Sequence, residues 1–170
     1  EIKLGQTVAY SGPGSAYSMV GRMHVAYYKM LNETKGGING RKINLLSVDD
    51  AYTPPKTVEV TRKLVEDDKV LAMVASMGTP SQTAIQKYMN ARKVPQFLFY
   101  ASSTGLHDPK GNPYTVPFSF AYDIEGGIYG KYLRENRPDA KIAVLYQNDD
   151  VGKSYLRGLK KALGDKASNI

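Results

Sequence analysis

The sequence has no cysteine and no tryptophan. Without thiols there is neither a disulfide framework nor a cysteine-based zinc site. Its two histidines, His24 and His107, are far apart and show no metal-ligand spacing. No apolar run approaches the ~18 residues of a membrane-spanning helix. The chain enters strand-like sequence at Glu1-Ile2-Lys3-Leu4 with no leader segment, as expected of an exported protein after processing. No G-x-x-x-x-G-K-S/T loop and no G-x-S-x-G elbow occurs, so neither a nucleotide-phosphate cradle nor a serine hydrolase has support. No metal, no cofactor and no catalytic residue is expected. The net charge of +7 comes from scattered Lys and Arg, with no dense basic block interleaved with aromatics, which speaks against nucleic acid.

What is present is an ordinary balance for a globular chain, 42% hydrophobic and 23% charged over 170 residues. Strand-like and helix-like stretches alternate. Residues 2–9, 42–48, 70–75, 96–100, 114–120 and 141–146 read as strands, with Pro117 marking the fifth as an edge or crossing segment. Residues 18–32 read as a helix with Val20, Met23, Tyr27 and Leu31 on its inner face. It ends at the glycine pair Gly36-Gly37. Thr53-Pro54-Pro55 opens a second helix with Val58, Leu64 and Val65 inward. A third carries Ala84, Ile85, Tyr88 and Met89 on one face, and residues 124–136 and 152–163 complete the set. This order predicts an α/β fold, a mostly parallel sheet with helices on both faces.

In such sheets ligands sit beyond the carboxyl ends of the strands. Three Gly/Ser/Thr-rich loops leave those ends at residues 11–17, 76–81 and 101–104. The first, SGPGSAYS, has G-x-G spacing, but its third glycine would fall at Tyr17, so a dinucleotide fails on spacing. Small residues that admit a ligand to the backbone, with hydroxyls and free N–H groups at helix starts, suit a small carboxylate. The pairs Asp49-Asp50 and Asp149-Asp150 follow strands and read as loop and helix caps rather than acid–base machinery. Among the thirteen tyrosines, Tyr10, Tyr17, Tyr52, Tyr100 and Tyr122 stand near strand ends, where aromatics wall a pocket for an apolar ligand body.

The stretches SGPGSAY, NETKGGINGRKINLLSVDDAYTPPK, ASMGTPSQTA, FLFYASST and KIAVLYQNDDVGKSY resemble, in order, the amino-terminal part of periplasmic substrate-binding proteins of ABC transporters. The branched-chain amino-acid (leucine/isoleucine/valine) binders of the type I periplasmic-binding fold are the most similar group. The resemblance implies a non-enzymatic, exported, periplasmic protein. It has two lobes that clamp a small carboxylate-bearing solute and deliver it to the membrane permease subunits of an ABC importer. By resemblance Tyr17 lies beside the ligand, the Ala101 carbonyl faces a ligand ammonium, and Ser103 serves the carboxylate, with Ser102 also in the expected ligand set. Gly78, Thr79, Tyr122 and Val151 complete the expected ligand set.

Three departures from the family pattern involve four positions. Gly78 stands where amino-acid binders carry a carboxylate-binding serine. Val151 stands where a covering tyrosine is expected, and Tyr52 and Met77 stand where two cysteines are often bridged. The first two keep small aromatic carboxylates beside hydrophobic amino acids as ligand classes. Family members run to roughly twice this length. The expected division is therefore a first lobe over residues 1–120 and a hinge with the beginning of a second lobe over 121–170. The rival readings are a sensor or receptor domain on the same fold, and an α/β enzyme using the Ser-rich loops.

Overall fold

The computed structural model describes all 170 residues, Asn169 by its backbone alone. Its strands are β1 (Ile2–Val8), β2 (Ile43–Asp49), β3 (Ala72–Val74), β4 (Gln96–Phe99) and β5 (Thr115–Pro117). Its helices are α1 (Ser18–Lys35), α2 (Pro54–Glu66), α3 (Thr79–Arg92), α4 (Tyr122–Asn136) and α5 (Asp150–Leu163). The strands form one sheet in the order β2-β1-β3-β4-β5, every pair parallel. This is the α/β architecture predicted from the alternation. Pro117 sits on the edge strand β5, where a missing N–H costs no ladder bond.

Strand alternation sends Leu46, Val48 and Met73 to one face of the sheet. There they meet Leu64, Val58 and Val65 of α2 and Ile85, Tyr88 and Met89 of α3. Leu64, Met73, Ile85 and Met89 are almost fully buried, and burial of this kind contributes about 1.5–3 kcal/mol per large apolar side chain. On the opposite face α1 covers β1 and β2. Towards β5 that face carries a groove lined by His24, Tyr28, Val74, Phe97, Leu98 and Phe118, and Leu98, Val116 and Phe118 are exposed.

The face of α1 differs in part from expectation, Val20 and Leu31 being half-buried as expected. Met23 and Tyr27 point to solvent, 66% and 53% exposed, and Gly21, His24, Tyr28 and Asn32 face the sheet. The reason is specific. Gly21 lets the helix close against Val8 and Tyr10. Nδ1 of His24 accepts from Nε2 of Gln6 (2.9 Å), which also donates to the Ala75 carbonyl. Asn32 makes a paired bond to the Ile43 backbone, accepting from N and donating to O (2.8 and 2.7 Å). Burial pushes the His24 pKa below its ordinary value, in keeping with a neutral acceptor. In α3, likewise, Ala84 is exposed and Gln82 and Gln86 are buried instead.

A second difference concerns residues 141–146. They are extended in sequence pattern but form no strand, because no described strand lies beside them to complete a ladder. The neighbouring α4 and α5 pack as a close pair. A Cβ at Gly126 would strike the Tyr155 carbonyl, and one at Gly158 the Asp123 carbonyl. Tyr122 and Tyr155 stack at 4.9 Å between ring centres, and the Tyr155 hydroxyl donates to Glu125 (2.6 Å). No described helix is long and apolar enough to cross a membrane.

Candidate functional site

The parallel register brings the ends of β1, β2, β3 and β4 to one edge, and the loops leaving them define a cavity of about 390 Å³. Tyr17 and Val20 come from the first loop and the start of α1. Tyr52 comes from the turn after β2. Met77, Gly78 and Thr79 come from the β3–α3 connection, Tyr100 and Ala101 from the loop after β4. Phe118, Ser119 and Tyr122 follow β5, and Gln147 and Val151 lie at the approach to α5.

The β3–α3 and β4 loops are fixed to each other. Tyr100 N donates to the Ser76 carbonyl (2.8 Å) and Gly78 N to the Tyr100 carbonyl (3.3 Å). Ser76 Oγ accepts from Thr7 N (3.0 Å). These bonds hold Ala101 beside Gly78 and Thr79 at the cavity floor.

The turn after β2 is held more tightly. Ala51 and Tyr52 both adopt left-handed backbone, φ 51° and 59°. Two non-glycine residues in that region cost about 1–3 kcal/mol each unless the surroundings over-determine them. Asp49 and Asp50 do so. Asp49 accepts from Ala51 N (2.9 Å), from Tyr10 N, from the N–H and hydroxyl of Ser11, and from Lys56. Burial raises the Asp49 pKa, but the Ser11 hydroxyl, the Ala51 N–H and Lys56 outweigh it and hold the carboxyl well below the usual range. Asp50 is fully buried and accepts from Tyr52 N (3.0 Å) and from the Thr57 hydroxyl (2.8 Å). The paired acids therefore shape a loop, as their position after a strand suggested. Thr53 stands at the N-cap of α2 with an extended backbone, but its hydroxyl donates to the Asp50 carbonyl rather than capping the helix.

The glycines of the first loop answer to this turn. A Cβ at Gly12 would lie 2.9 Å from the Ala51 carbonyl oxygen, and one at Gly14 would lie 2.9 Å from the Tyr52 Cβ. SGPGSAYS is thus lean because the second loop presses against it. The Tyr52 side chain runs on across the floor to Gly78. Burial raises its hydroxyl pKa above the ordinary tyrosine value, and Gln147 beside it pulls it back.

No charged side chain lines the cavity. The starts of α1, α3, α4 and α5 instead converge on it, through Tyr17 and Val20, Gly78 and Thr79, Tyr122, and Val151. Each helix start carries the positive end of the peptide dipole, although Ser18 N already donates to the Ser15 carbonyl, Tyr122 N to the Ser102 carbonyl and Val151 N to Asp149 Oδ1. The first turns of α4 and α5 offset this with Asp123, Glu125 and Asp150; those of α1 and α3 contain no acid. The α1 and α3 starts are thus the two without a first-turn acid, and the hydrogen-bonded Asp49 and Asp50 carboxylates lie at the adjoining turn after β2. Among the described residues no group of three or more His, Asp or Glu is placed to hold a metal.

Of the residues expected at the site, Tyr17, Gly78, Thr79, Ala101, Tyr122 and Val151 all line the cavity. Ser102 and Ser103 do not. Ser102 is fully buried and its hydroxyl is engaged with the carbonyl and hydroxyl of Ser119 (3.1 and 2.8 Å). Ser103 is 4% exposed, and its carbonyl accepts from Leu106 N at the Thr104–Leu106 turn. Tyr52 and Tyr100 were legible only as strand-end aromatics, and Phe118, Ser119 and Gln147 had no signal in the sequence.

The periplasmic binding protein family profile matches residues 1–168. The leucine-, isoleucine-, valine-, threonine- and alanine-binding protein of Pseudomonas aeruginosa is 26% identical over 173 residues, covering 99% of this chain and 45% of the relative. Among solved structures, the branched-chain amino-acid transporter substrate-binding protein of Streptococcus pneumoniae, in complex with isoleucine, superposes with TM-score 0.79 at 25% identity. That match covers 95% of this chain and 46% of the other. A solute-binding protein of an ABC transporter from R. palustris, in complex with benzoate, gives TM-score 0.79 at 24% identity, covering 98% and 45%. The chain thus spans less than half the length of these relatives, each named as a binding protein. The profile match over nearly its whole length, on the parallel α/β frame just described, shows that the chain belongs to the periplasmic binding protein family, of the type I fold, and represents its amino-terminal part.

Proposed function

We propose that the chain is the first lobe (residues 1–120) and the beginning of the second (121–170) of an extracytoplasmic, periplasmic solute-binding protein. It delivers a small carboxylate-bearing solute to the permease subunits of an ABC importer. The observation that carries this reading is a cavity without a charged side chain onto which helix starts converge, two of them free of first-turn acids. Such a cavity offers a carboxylate backbone N–H groups and the Thr79 hydroxyl.

The solute is a hydrophobic amino acid or a small aromatic carboxylate, and the walls favour the second. Tyr17, Tyr52, Tyr100, Phe118 and Tyr122 give five aromatic rings around about 390 Å³, and Val151 adds an apolar patch without a hydroxyl. The relatives in complex with isoleucine and with benzoate span the same two classes.

The test is a thermal-shift comparison on the complete protein to which this chain belongs. Benzoate at ~100 times its dissociation constant stabilises by about 2.7 kcal/mol. The expected result is a raised melting temperature with benzoate and a smaller or absent shift with leucine. A shift with leucine, isoleucine or valine alone overturns the aromatic preference, and no shift with either class overturns the site.

A further inference from the structure

Tyr52 occupies a place that several costly features are arranged to give it. Its left-handed backbone follows that of Ala51, and the buried Asp50 holds its N–H. Gly14 lies against its Cβ and Gly78 against its ring, so that a side chain at position 78 would stand 2.8 Å from Tyr52 Cε2. Gly78 itself has φ +104°, a backbone reserved largely for glycine. The result is an aromatic ring laid beside the α3 start, on the side of the cavity where the adjoining helix has no acid in its first turn. Tyr17 and Tyr122 line the same cavity, and burial, with Asp149 close by, raises the Tyr52 hydroxyl pKa.

We propose that Tyr52 is the specificity-determining residue of this cleft. Its ring fills the space a side chain at position 78 would take and presents an aromatic face next to the carboxylate-binding helix start. This deepens the solute-binding reading above and rests on it. A planar ring attached directly to a carboxylate places its carboxyl group at Thr79 while its face meets Tyr52. A branched aliphatic group, carried on a tetrahedral carbon, meets the Tyr52 ring edge-on and gains less. Offset or edge-to-face ring contacts exceed simple area burial, so the residue discriminates between the two ligand classes rather than strengthening both.

The test uses the complete protein with two probes, benzoate and leucine, measured by calorimetry on wild type, Tyr52→Ala and Tyr52→Phe. Tyr52→Ala is expected to weaken benzoate about tenfold and to change leucine by less than about threefold, the size of one lost aromatic contact. Tyr52→Phe keeps the ring and should hold the benzoate-to-leucine preference. A preference unchanged within twofold in Tyr52→Ala, with wild type still binding benzoate, overturns the specificity role and leaves the site intact. Wild-type binding of neither probe, or of leucine alone, overturns the aromatic-carboxylate reading and the specificity role with it.

A ligand-free cycle reads the packing separately. Gly78→Ala should lower the melting temperature by roughly 2 °C or more beyond its cost in a Tyr52→Ala background, because the backbone strain at position 78 is common to both and cancels. Equal losses in the two backgrounds mean that Tyr52 does not occupy that space, which overturns the proposal.

Discussion

Asp50 shows how much of the site hangs on one buried side chain. Its carboxylate has no solvent contact and is held by Tyr52 N and the Thr57 hydroxyl, and that hydroxyl in turn accepts from the Ser81 hydroxyl at the start of α3. Removing the acceptor strands buried donors, and each stranded group costs about 1–3 kcal/mol. Asp50→Ala is therefore expected to destabilise the protein by roughly 2–3 kcal/mol in urea denaturation. It should also weaken benzoate binding, because the turn that aims Tyr52 loses its support. Wild-type stability in this variant would refute the assigned role. At this scale the sequence spoke unevenly. The acidic pair after a strand was readable as loop chemistry. The aim of Tyr52 was not, since it depends on Gly14 and Gly78, distant in sequence and identifiable only once the loops meet. For the same reason the sequence did not show that the Ser102 hydroxyl is engaged by Ser119, which follows β5.

Among the elements, the strands through β4 were legible because each is a short apolar run bounded by turn residues, and Gly36 ends α1 with φ 68° as its position implied. The face of α1 was not. Two faces satisfy the helical period, Val20–Met23–Tyr27–Leu31 and Gly21–His24–Tyr28–Asn32, and hydrophobicity favours the first. Geometry centres the buried side on the second, leaving Val20 and Leu31 half-buried at its border, through close approach at Gly21 and side-chain bonds from His24 and Asn32. Asn32→Ala should accordingly cost about 1–3 kcal/mol, and Met23→Gln should change stability by no more than ~0.5 kcal/mol. Chemical denaturation of both variants separates the readings, since a buried Met23 would reverse the order. The segment 141–146 failed to form its predicted strand because a strand is a property of a pair, and its apolar pattern alone supplies no neighbour.

For the molecule as a whole, alternation of strand and helix was sufficient to set the parallel sheet and to direct attention to its carboxyl edge, where the cavity lies. What alternation did not convey is which residues of each loop turn inward, because that is decided by contacts between loops. The central claim is that this edge holds a carboxylate by helix starts and a ring by tyrosines. The most direct measurement is a crystal structure of the complete protein with benzoate. The account predicts carboxylate oxygens within about 3 Å of the Thr79 N–H or hydroxyl, the distance of a charge-assisted hydrogen bond, with the ring against Tyr52. A benzoate lying with its carboxylate turned away from α3, or paired with a charged side chain, would contradict it.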